Sequence, residues 1–477
     1  MKYEIVIGLE THVRVGSITK MFGSEPNAVA LERDPNINIW PVSLGLPGAL
    51  PVLSEGVVDL AVRASHGLRM TVNTFSQFDR KSYFYPDLPM GYQITQLFHP
   101  LSEHGHLETY VGDELKRFNI RRIHIEADAG GSKHSITKSL VDFNRAGSPL
   151  MEIVTEPDFR SKDDVLEYLR ELQKIMRFVG ASDADMEKGQ LRCDVNISLR
   201  PEGSHEFRNR VELKNLNSFQ QIGRAIDTEV KRQTEIYDEN GTVDQETRGW
   251  DDEAGESHSL RSKEDAMDYR YFPEPDLPPL VITQAYIDER NIAELPIDRR
   301  QKYLGEWKLL PDDARILSSD RAMSDFFEKT VALSGDVKKS AALILTVILW
   351  ILKKGDEEVD FSSLKITPEN LARVVEMLKN DEISSTNAQE VVKILLNEGG
   401  NPDTIVDTKG LRQVNDTGAM EAIVDTVIAA NPGQIAEYRA GKVNLFWYFV
   451  GVCMKESKWQ GNPKIFTEIL TKKLTMK

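Results

Sequence analysis

The chain has 477 residues, 40% of them hydrophobic and 28% charged, which is ordinary for a globular protein. At about 150 residues per domain, this length predicts two to four domains. The net charge of −16 argues against nonspecific nucleic-acid binding by the whole surface. Only two cysteines occur, Cys193 and Cys453, and they are far apart in the sequence. This argues against a disulfide framework or a cysteine-based zinc site, and fits a reducing, cytoplasmic location.

The N-terminus predicts no signal peptide, because Met1 and Lys2 lead directly into an alternating strand pattern. The longest apolar run extends from Ala341 to Leu352 and is interrupted only by Thr346. A membrane-spanning helix needs about 20 apolar residues. The run is therefore predicted to be a buried helix.

Four strand-like stretches in the first half of the chain place acidic residues on one alternating face. In the first, from Tyr3 to Val15, Glu10 and His12 are two residues apart and project to the same side. The other stretches are residues 122–128, 191–199 and 210–214. They place on the polar side His124, Glu126 and Asp128, then Asp194, and finally Glu212.

If these strands share a sheet, one polar surface is lined by Glu10, His12, Glu126, Asp128, Asp194 and Glu212. Clustered carboxylates repel one another, so such a surface needs a cation or a proton. Oxygen ligands with a single imidazole favour Mg²⁺ or Mn²⁺ over zinc. The alternative is that these residues form only the solvated face of a sheet, although Asp and Glu are poor strand formers.

Helical patterns are interspersed with these strands and dominate beyond Pro296. One helix is predicted from Ser161 to near Gly180, and another after Ser218. The proline-rich segment 273–279 is predicted to be extended, either as a linker or as a strap over the sheet domain. Together these patterns predict domains at residues 1–295, 296–409 and 410–477.

The last 37 residues, 441–477, carry seven lysines and two glutamates, a net charge of +5, with Trp447, Tyr448 and Trp459 among them. Basic and aromatic residues that alternate on helices can contact a nucleic-acid backbone. The alternative is a lysine-rich solvated face with its aromatic residues in a core. The run from Leu445 to Phe449 is predicted to be core rather than a stacking platform.

Several longer stretches are too specific to be generic. Together they resemble the B subunit of the glutamyl/aspartyl-tRNA amidotransferase, and the resemblance extends over the whole chain. The stretches that carry it are Asp79–Gln93, Leu140–Val154, Leu191–Asn196, Val211–Phe219 and Asp268–Pro279.

This resemblance implies an α+β fold. An antiparallel-rich sheet domain, the cradle, would be followed by an all-α helical domain and a small helical tail domain that contacts mischarged tRNA. It also implies an activity: the B subunit uses ATP and Mg²⁺ to phosphorylate the side-chain carboxylate of Glu-tRNA(Gln) or Asp-tRNA(Asn). The glutaminase (A) subunit then supplies ammonia, and the small C subunit clamps the other two together.

The resemblance also assigns roles to residues. The positions implied to hold Mg²⁺ and ATP and to act in catalysis are Glu10, His12, Glu126, Asp194 and Glu212. Whether Asp128 and Glu152 contact the metal themselves or support its ligands stays open. Lys81 is implied as a further catalytic group, and the candidate phosphate-binding side chains are Arg80, Lys214, Arg261, Lys263 and Arg270. No Walker-type phosphate loop occurs in the sequence, so a nucleotide site would be of another kind.

Two other functions remain open from the residues alone. A free-standing Mg²⁺-dependent ligase acting on a small carboxylic acid would use the same acidic cluster, but would not need a basic helical tail. A noncatalytic tRNA-binding or assembly protein would not need the cluster, since buried carboxylates cost stability.

The sequence departs from the family at three places. Many members carry a zinc site made of two cysteine pairs, the second just before a Leu-Gly-Leu-Pro-Gly stretch. Here that stretch is Leu44–Gly48, but Trp40 and Ser43 stand where the second pair would be, and the first pair is also missing. Met90 replaces an expected lysine, and His258 an expected arginine.

We therefore predict that the protein binds no zinc. Metal analysis of the purified protein by inductively coupled plasma mass spectrometry should find zinc far below one equivalent, because no cysteine thiolates are available near residues 20–43. A stoichiometric amount that survives dialysis would contradict the prediction.

Overall fold

The computed structural model describes residues 2–27, 34–134, 137–262, 268–292, 294–352, 361–413, 416–457 and 460–475. The chain forms two compact units, Met1–Asp298 and Arg299–Lys477. Within the described ranges, no helix has the length and apolar character needed to cross a membrane.

The first unit is built on β-strands. They are β1 (Tyr3–Arg14), β2 (Thr71–Val72), β3 (Phe75–Ser82), β4 (Tyr92–His99), β5 (Ser102–Val111), β6 (Glu114–Ala127), β7 (Gly131–His134), β8 (Ser139–Asp142), β9 (Pro149–Thr155), β10 (Leu191–Pro201), β11 (Val211–Lys214), β12 (Glu246–Asp251), β13 (Glu256–Ser262), β14 (Phe272–Pro273) and β15 (Leu280–Val281). Its helices are α1 (Glu55–Gly67), α2 (Lys162–Phe178), α3 (Phe219–Asp238) and α4 (Gln284–Asp288), and α5 (Pro296–Gly305) spans the division between the units.

Nine of these strands form one sheet in the order β13-β12-β11-β10-β1-β9-β6-β5-β2. All neighbours are antiparallel except β11 and β12. The four strands predicted to carry the acidic face are adjacent or separated only by β9. The fold is therefore α+β with an antiparallel-rich sheet, as predicted.

The sheet buries one face because its apolar residues alternate. Ile7 and Leu9 of β1 and Val195 and Ile197 of β10 are fully buried, in one core with α1, α2 and α3. Since side chains alternate between faces, the residues between them project from the opposite face of the sheet. The apolar pattern thus fixes which face presents the carboxylates.

The two predicted helices begin at capping serines. The hydroxyl of Ser161 accepts a hydrogen bond from the Asp164 backbone N–H (3.1 Å), and α2 ends at Phe178. The hydroxyl of Ser218 accepts one from Gln221 N–H (3.1 Å) at the start of α3. Such caps satisfy N–H groups that the first turn leaves unpaired.

The proline-rich segment is a strap rather than a linker. Its two ends, β14 and β15, both pair with β3, in registers Phe272↔Arg80 and Leu280↔Ser76. Glu274, which is 2% exposed, accepts two hydrogen bonds from Arg80 at 2.7 and 2.9 Å. The bidentate ion pair fixes the strap against β3.

A buried lysine connects the loop that follows β1 to the turn before β9. Lys20 is fully buried, and its ammonium donates to the Asn38 carbonyl (3.0 Å) and the Ala146 carbonyl (2.7 Å). It lies 3.8 Å from Glu25, which accepts a hydrogen bond from Ser43 (2.5 Å). Ser43 and the half-exposed Trp40 stand where the resemblance would place the second cysteine pair.

The second unit is helical throughout its described part, as predicted. Its helices are α6 (Pro311–Leu317), α7 (Arg321–Ser334), α8 (Val337–Leu343), α9 (Leu349–Leu352), α10 (Pro368–Lys379), α11 (Ser385–Glu398), α12 (Pro402–Lys409), α13 (Thr417–Ala430), α14 (Pro432–Arg439), α15 (Leu445–Glu456) and α16 (Pro463–Thr475). A π-helical turn, Ile344–Ile348, joins α8 to α9, so the apolar run is a largely buried helix with a π turn. The buried residues form two cores, one within residues 303–406 and one within 420–474. The three-domain division stays a prediction.

The prediction for the aromatic run of α15 was partly wrong. Phe449 is fully buried, but Trp447 is 69% exposed and Tyr448 is 45% exposed. A helix presents successive residues about 100° apart, so a run of consecutive aromatic residues cannot all enter one core.

We predict that the stability contributed by Lys20 rises with pH. Burial first, and the charge of Arg14, lower its pKa to about 8 against the opposing charges of Glu25 and Asp142. Between that value and the ordinary value near 10.5, the unfolded chain holds a proton that the folded chain has lost, so raising the pH favours folding by up to about 3 kcal/mol.

The comparison is between the wild type and the double variant Lys20→Met/Glu25→Gln, which removes both buried charges. From about pH 7.5 to about pH 10, the melting temperature of the wild type should improve relative to the double variant. Ser43→Ala removes no titratable group and should follow the wild-type profile. A wild-type advantage that does not change with pH would contradict the prediction.

Candidate functional site

The polar face of the sheet converges on Glu152. Strand β9 lies between β1 and β6, and Glu152 is directly opposite His12 on one side and His124 on the other. Glu152 and His124 are buried, and His12 is half-buried. Two imidazoles therefore reach the site, where the sequence analysis counted one.

These side chains lie within contact distance of one another. Nε2 of His124 is 3.0 Å from Glu152 and 3.6 Å from Glu126, and Nε2 of His12 is 3.4 and 3.6 Å from the same two carboxylates. The Thr95 hydroxyl of β4 donates to Glu126 (3.0 Å). A second sheet, formed by β3, β4, β14 and β15, therefore also contributes to the site.

Burial and charge determine the protonation of this cluster. Burial acts to raise the pKa of Glu152, but the histidine charges and hydrogen bonds outweigh it and hold that pKa well below its ordinary value. The pKa of Glu126 is lowered in the same way, chiefly by His124. Despite burial, the carboxylates raise the pKa of His124 to about 9. Burial and the charge of Glu152 raise the pKa of Glu10 to about 7.

Among the residues that the structure describes, two sets of side chains could each hold a metal ion. One is Glu10, His12 and Glu152, and the other is His124, Glu126 and Glu152. In each set the ligand atoms lie within 4.8 Å of one another. Glu152 belongs to both. Carboxylate oxygens outnumber imidazoles, and such a donor set fits Mg²⁺ or Mn²⁺.

Asp194 and Glu212 lie on the β10–β11 side of the site. Asp194 is opposite Glu10 in the sheet. Lys214 forms ion pairs with Asp194 and, at 3.1 Å, with Glu212. Thr247 donates to Glu212 (2.8 Å). Lys214 thus pairs with two of the four carboxylates that the sequence analysis assigned to the metal.

Lys81 faces the cluster from β3. Burial opposes its charge, but Glu126, Tyr271 and Glu152 outweigh this effect and raise its pKa. Its ammonium lies 5.0 Å from the ring centre of Tyr269 and 6.0 Å from that of Tyr83. Lys81 is therefore a fixed positive charge beside the carboxylates.

The other predicted phosphate-binding residues are placed differently. Arg80 is bound to Glu274 of the strap, and its guanidinium lies 4.0 Å from the centre of the Tyr92 ring. Arg270 is exposed, in a left-handed backbone conformation (φ 47°), with its guanidinium 5.9 Å from the Phe84 ring centre. The backbone of Arg261 pairs within β13, and Lys263 lies outside the described residues.

Asp128 is surrounded by arginines that the sequence analysis did not assign. Arg192 donates to it at 2.9 Å, and Nε of Arg145 lies 3.3 Å away. The pKa of Arg14 is lowered, first by burial and also by the charges of Arg145 and Arg192, with Asp128 opposing. Asp128 therefore belongs to an ion-pair group beside the Glu152 cluster.

Two departures from the family pattern, Met90 and His258, both lie in the first unit. Met90 is half-buried and packs against the core of the first unit. His258 is exposed on β13, opposite Gly249.

Comparison with known proteins identifies the family. The GatB/GatE catalytic domain matches residues 5–288, and the GatB domain matches residues 325–474. Similar proteins, each named as the B subunit of an aspartyl/glutamyl-tRNA(Asn/Gln) amidotransferase, occur in Persephonella marina (44% identical, covering 98% of this chain and 99% of the relative), Syntrophotalea carbinolica (44%, covering 99% of each) and Thermosynechococcus vestitus (43%, covering 99% and 97%).

The chain belongs to the B-subunit family of the aspartyl/glutamyl-tRNA(Asn/Gln) amidotransferases. The acidic face lies wholly within the part that matches the catalytic domain. The family's name connects these proteins to the amidation of tRNA-bound amino acids in translation.

We predict that Glu152 contributes more to divalent-metal affinity than Glu212 does. Glu152→Gln should weaken Mn²⁺ binding at least about tenfold, because Glu152 is common to both candidate ligand sets. Glu212→Gln is the matched control, because Glu212 is already neutralised by Lys214.

Mn²⁺ titration followed by electron paramagnetic resonance measures both variants. An equal loss of Mn²⁺ affinity in both variants would mean that Glu212 contributes to metal binding as much as Glu152 does. A full-affinity Glu152→Gln variant would remove Glu152 from the metal site.

Proposed function

We propose that this chain activates the side-chain carboxylate of mischarged Glu-tRNA(Gln) or Asp-tRNA(Asn) with ATP and amidates it with ammonia. The observation that carries the proposal is the Glu152 cluster, in which buried carboxylates lie on the polar face of the sheet with Lys81 beside them. Membership of the family supports the substrate, since the relatives are named for it.

The side-chain carboxylate of the substrate must be activated before it can react with ammonia. A carboxylate does not react with ammonia because its leaving group would be oxide, whereas an acyl phosphate has a good leaving group. Forming that phosphate brings two anions together. Mg²⁺ would be held by oxygens of Glu10, Glu126 and Glu152, and by the imidazoles of His12 and His124 once these have given up the protons that they carry without metal. It would supply the neutralising charge.

Other residues of the chain hold the carboxylates of the Glu152 cluster in position and balance their charge. Lys81 stays protonated because its pKa is raised, so it acts as a positive charge toward an incoming oxyanion rather than as a base. Thr95 holds Glu126 in place. Lys214 holds Asp194 and Glu212 at the next pair of strands.

Neither cysteine of the chain is suited to release ammonia from glutamine. Cys193 and Cys453, its two cysteines, are buried, and burial raises the pKa of both thiols, that of Cys453 to about 11. A thiol in that state is a poor nucleophile. We therefore propose that ammonia comes from the glutaminase (A) subunit, and that the small C subunit completes a heterotrimer.

The proposed tRNA contact lies in the tail, on α14 and α15. Trp447 and Tyr448 are exposed there, and Lys442 is exposed close by in the sequence. Exposed aromatic rings can stack on unpaired bases, and lysines contact phosphates. Each of these lysines already has an acidic partner: Lys442 pairs with Glu437, Lys464 with Asp381, and Lys473 with Asp425 and Glu421. The two exposed aromatic rings therefore carry the proposal.

The deciding measurement is amide formation on Glu-tRNA(Gln) and Asp-tRNA(Asn) by this chain, with ATP, Mg²⁺ and ammonium chloride, in the presence and absence of the two partner proteins. We expect product that depends on ATP and on the partners. Glu126→Gln should abolish amide formation and leave tRNA affinity nearly unchanged, because it removes a buried carboxylate far in sequence from the tail.

Trp447→Ala is the complementary variant. It should weaken tRNA binding and leave ATP binding intact. Two outcomes would contradict the proposal: ammonia incorporation into a small carboxylic acid with neither tRNA used, or loss of tRNA binding in Glu126→Gln with amide formation retained.

A further inference from the structure

Three tyrosine rings form a row that leads from Lys81 to the protein surface. The ring centres of Tyr83 and Tyr269 lie 6.0 and 5.0 Å from the Lys81 ammonium and 6.1 Å from each other. Tyr85 continues the row, with its ring centre 6.1 Å from that of Tyr83. We call Tyr269, Tyr83 and Tyr85 the aromatic row. The proposed reaction, as far as it has been described, gives these rings no part.

The inner end of the aromatic row is fixed to the strand that carries Glu126. The Tyr83 hydroxyl donates a hydrogen bond to the side chain of Gln93 (3.2 Å), which in turn donates to the carbonyl of Ala127 (2.9 Å), the neighbour of Glu126. The carbonyl of Tyr269 accepts a hydrogen bond from the last residue of β3 (2.8 Å). Both rings are half-buried. The fold therefore holds this end of the row at a set position beside the metal cluster.

The outer end of the row is open to solvent and lies next to a positive charge. Tyr85 is 62% exposed, and the adjacent Phe84 is 75% exposed. An edge-to-face contact, such as that between Tyr85 and Tyr83, covers at most one face of a ring. The exposed Arg270 has its guanidinium 5.9 Å from the centre of the Phe84 ring. This end thus offers both a flat aromatic surface and a cation.

The substrate of the proposed function brings a nucleoside close to the row. Its side-chain carboxylate has to reach the Glu152 cluster, and a short chain of single bonds joins that carboxylate to the terminal adenosine of the tRNA. Standard bond lengths place the adenine base about 10 Å from the carboxylate. Lys81 lies near enough to the cluster for Glu126 and Glu152 to raise its pKa, and the aromatic row begins at Lys81. The row therefore starts within the range that this base can reach.

We propose that the aromatic row binds the terminal adenosine of the charged tRNA, with the base stacked on Tyr85 and a backbone phosphate facing Arg270. This site deepens the proposed function and rests on it, since it holds the part of the substrate that is joined to the reacting carboxylate. Aromatic rings suit this task, because unpaired RNA bases are bound by stacking on them and RNA phosphates by arginine.

The openness of the row favours an RNA end over the adenine of ATP. A pocket for a small ligand encloses most of the ligand's surface, whereas Tyr85 and Phe84 are both more than half exposed. A nucleoside that is anchored through the rest of its tRNA needs no such enclosure, because the other contacts keep it at a high effective concentration.

The test uses the full chain assembled with its partner proteins, with ATP, Mg²⁺, ammonium chloride and whichever charged tRNA the wild type amidates. Tyr85→Leu keeps an apolar side chain and removes the ring. It should raise the KM for charged tRNA at least about fivefold, as expected for the loss of one base–ring stack, and leave the KM values for ATP and ammonium unchanged. Tyr85→Phe keeps the ring and should restore the wild-type KM.

A second measurement reports the stacking itself. The terminal adenosine is replaced by a fluorescent adenine analogue whose emission is quenched when it stacks on an aromatic ring. Binding of this tRNA, charged and without ATP, should quench the emission with the wild type and with Tyr85→Phe but not with Tyr85→Leu.

Phe207→Leu is the matched control. Phe207 is 66% exposed in the same unit, and the guanidinium of Arg200 lies 5.8 Å from its ring centre, so it reproduces an exposed ring beside an arginine. The control should change neither the KM values nor the quenching. An equal effect in this variant would show that the loss in Tyr85→Leu is not specific to the row.

Three results would overturn the inference: no quenching with the wild type, quenching that persists in Tyr85→Leu, or an unchanged KM for charged tRNA in that variant. A raised KM for ATP or for ammonium alone would instead assign the row to the adenine of ATP or to the path of ammonia. The proposed function fails separately, if the wild type forms no ATP-dependent amide on either tRNA. The fluorescence measurement needs no reaction and decides the inference in that case as well.

Discussion

Carboxylates removed from water keep their charge only where a positive group lies beside them. The polar face of the nine-stranded sheet follows this requirement in three neighbouring groups. His12 and His124 compensate Glu126 and Glu152, Lys214 compensates Asp194 and Glu212, and two arginines compensate Asp128. Because each group has its own counter-ion, the three can have different tasks. In our proposals the first holds the metal and the second supports it.

The sheet was predictable where its residues alternate. Period-two patterns in β1, β6, β10 and β11 identified these strands and the face that carries their acidic residues, since the two faces of a strand differ in polarity when only one is buried. Strand β9 could not be recognised from a period-two pattern, because apolar side chains occupy both of its faces and all but one of its residues are buried. Glu152 is the only charged residue in β9, and a single acid in an otherwise apolar strand was the available signal.

Pairings between distant residues could not be predicted. Arg80 and Lys214 each carry the charge that a phosphate site needs, but Arg80 is committed to Glu274, 194 residues later, and Lys214 to Asp194 on the neighbouring strand. Conversely, nothing in the sequence distinguishes Arg192 from other arginines, and only the β1–β10 register places it opposite His12. The family resemblance supplied roles for the acidic residues, while the geometry supplied the set of side chains that share each role.

The central position of β1 has a consequence for synthesis of the protein. Its neighbours in the sheet are β9 and β10, so the first strand to be made has to wait for its partners: the Leu9 backbone N–H donates to the Thr155 hydroxyl, 146 residues later. At about 5–20 residues per second, roughly 10–30 seconds pass on the ribosome before a partner strand exists. During that time β1 is an unpaired apolar edge, which is prone to aggregation. The nascent chain is therefore expected to depend on chaperones until β9 emerges, and to form the carboxylate face only as one of its last folding steps.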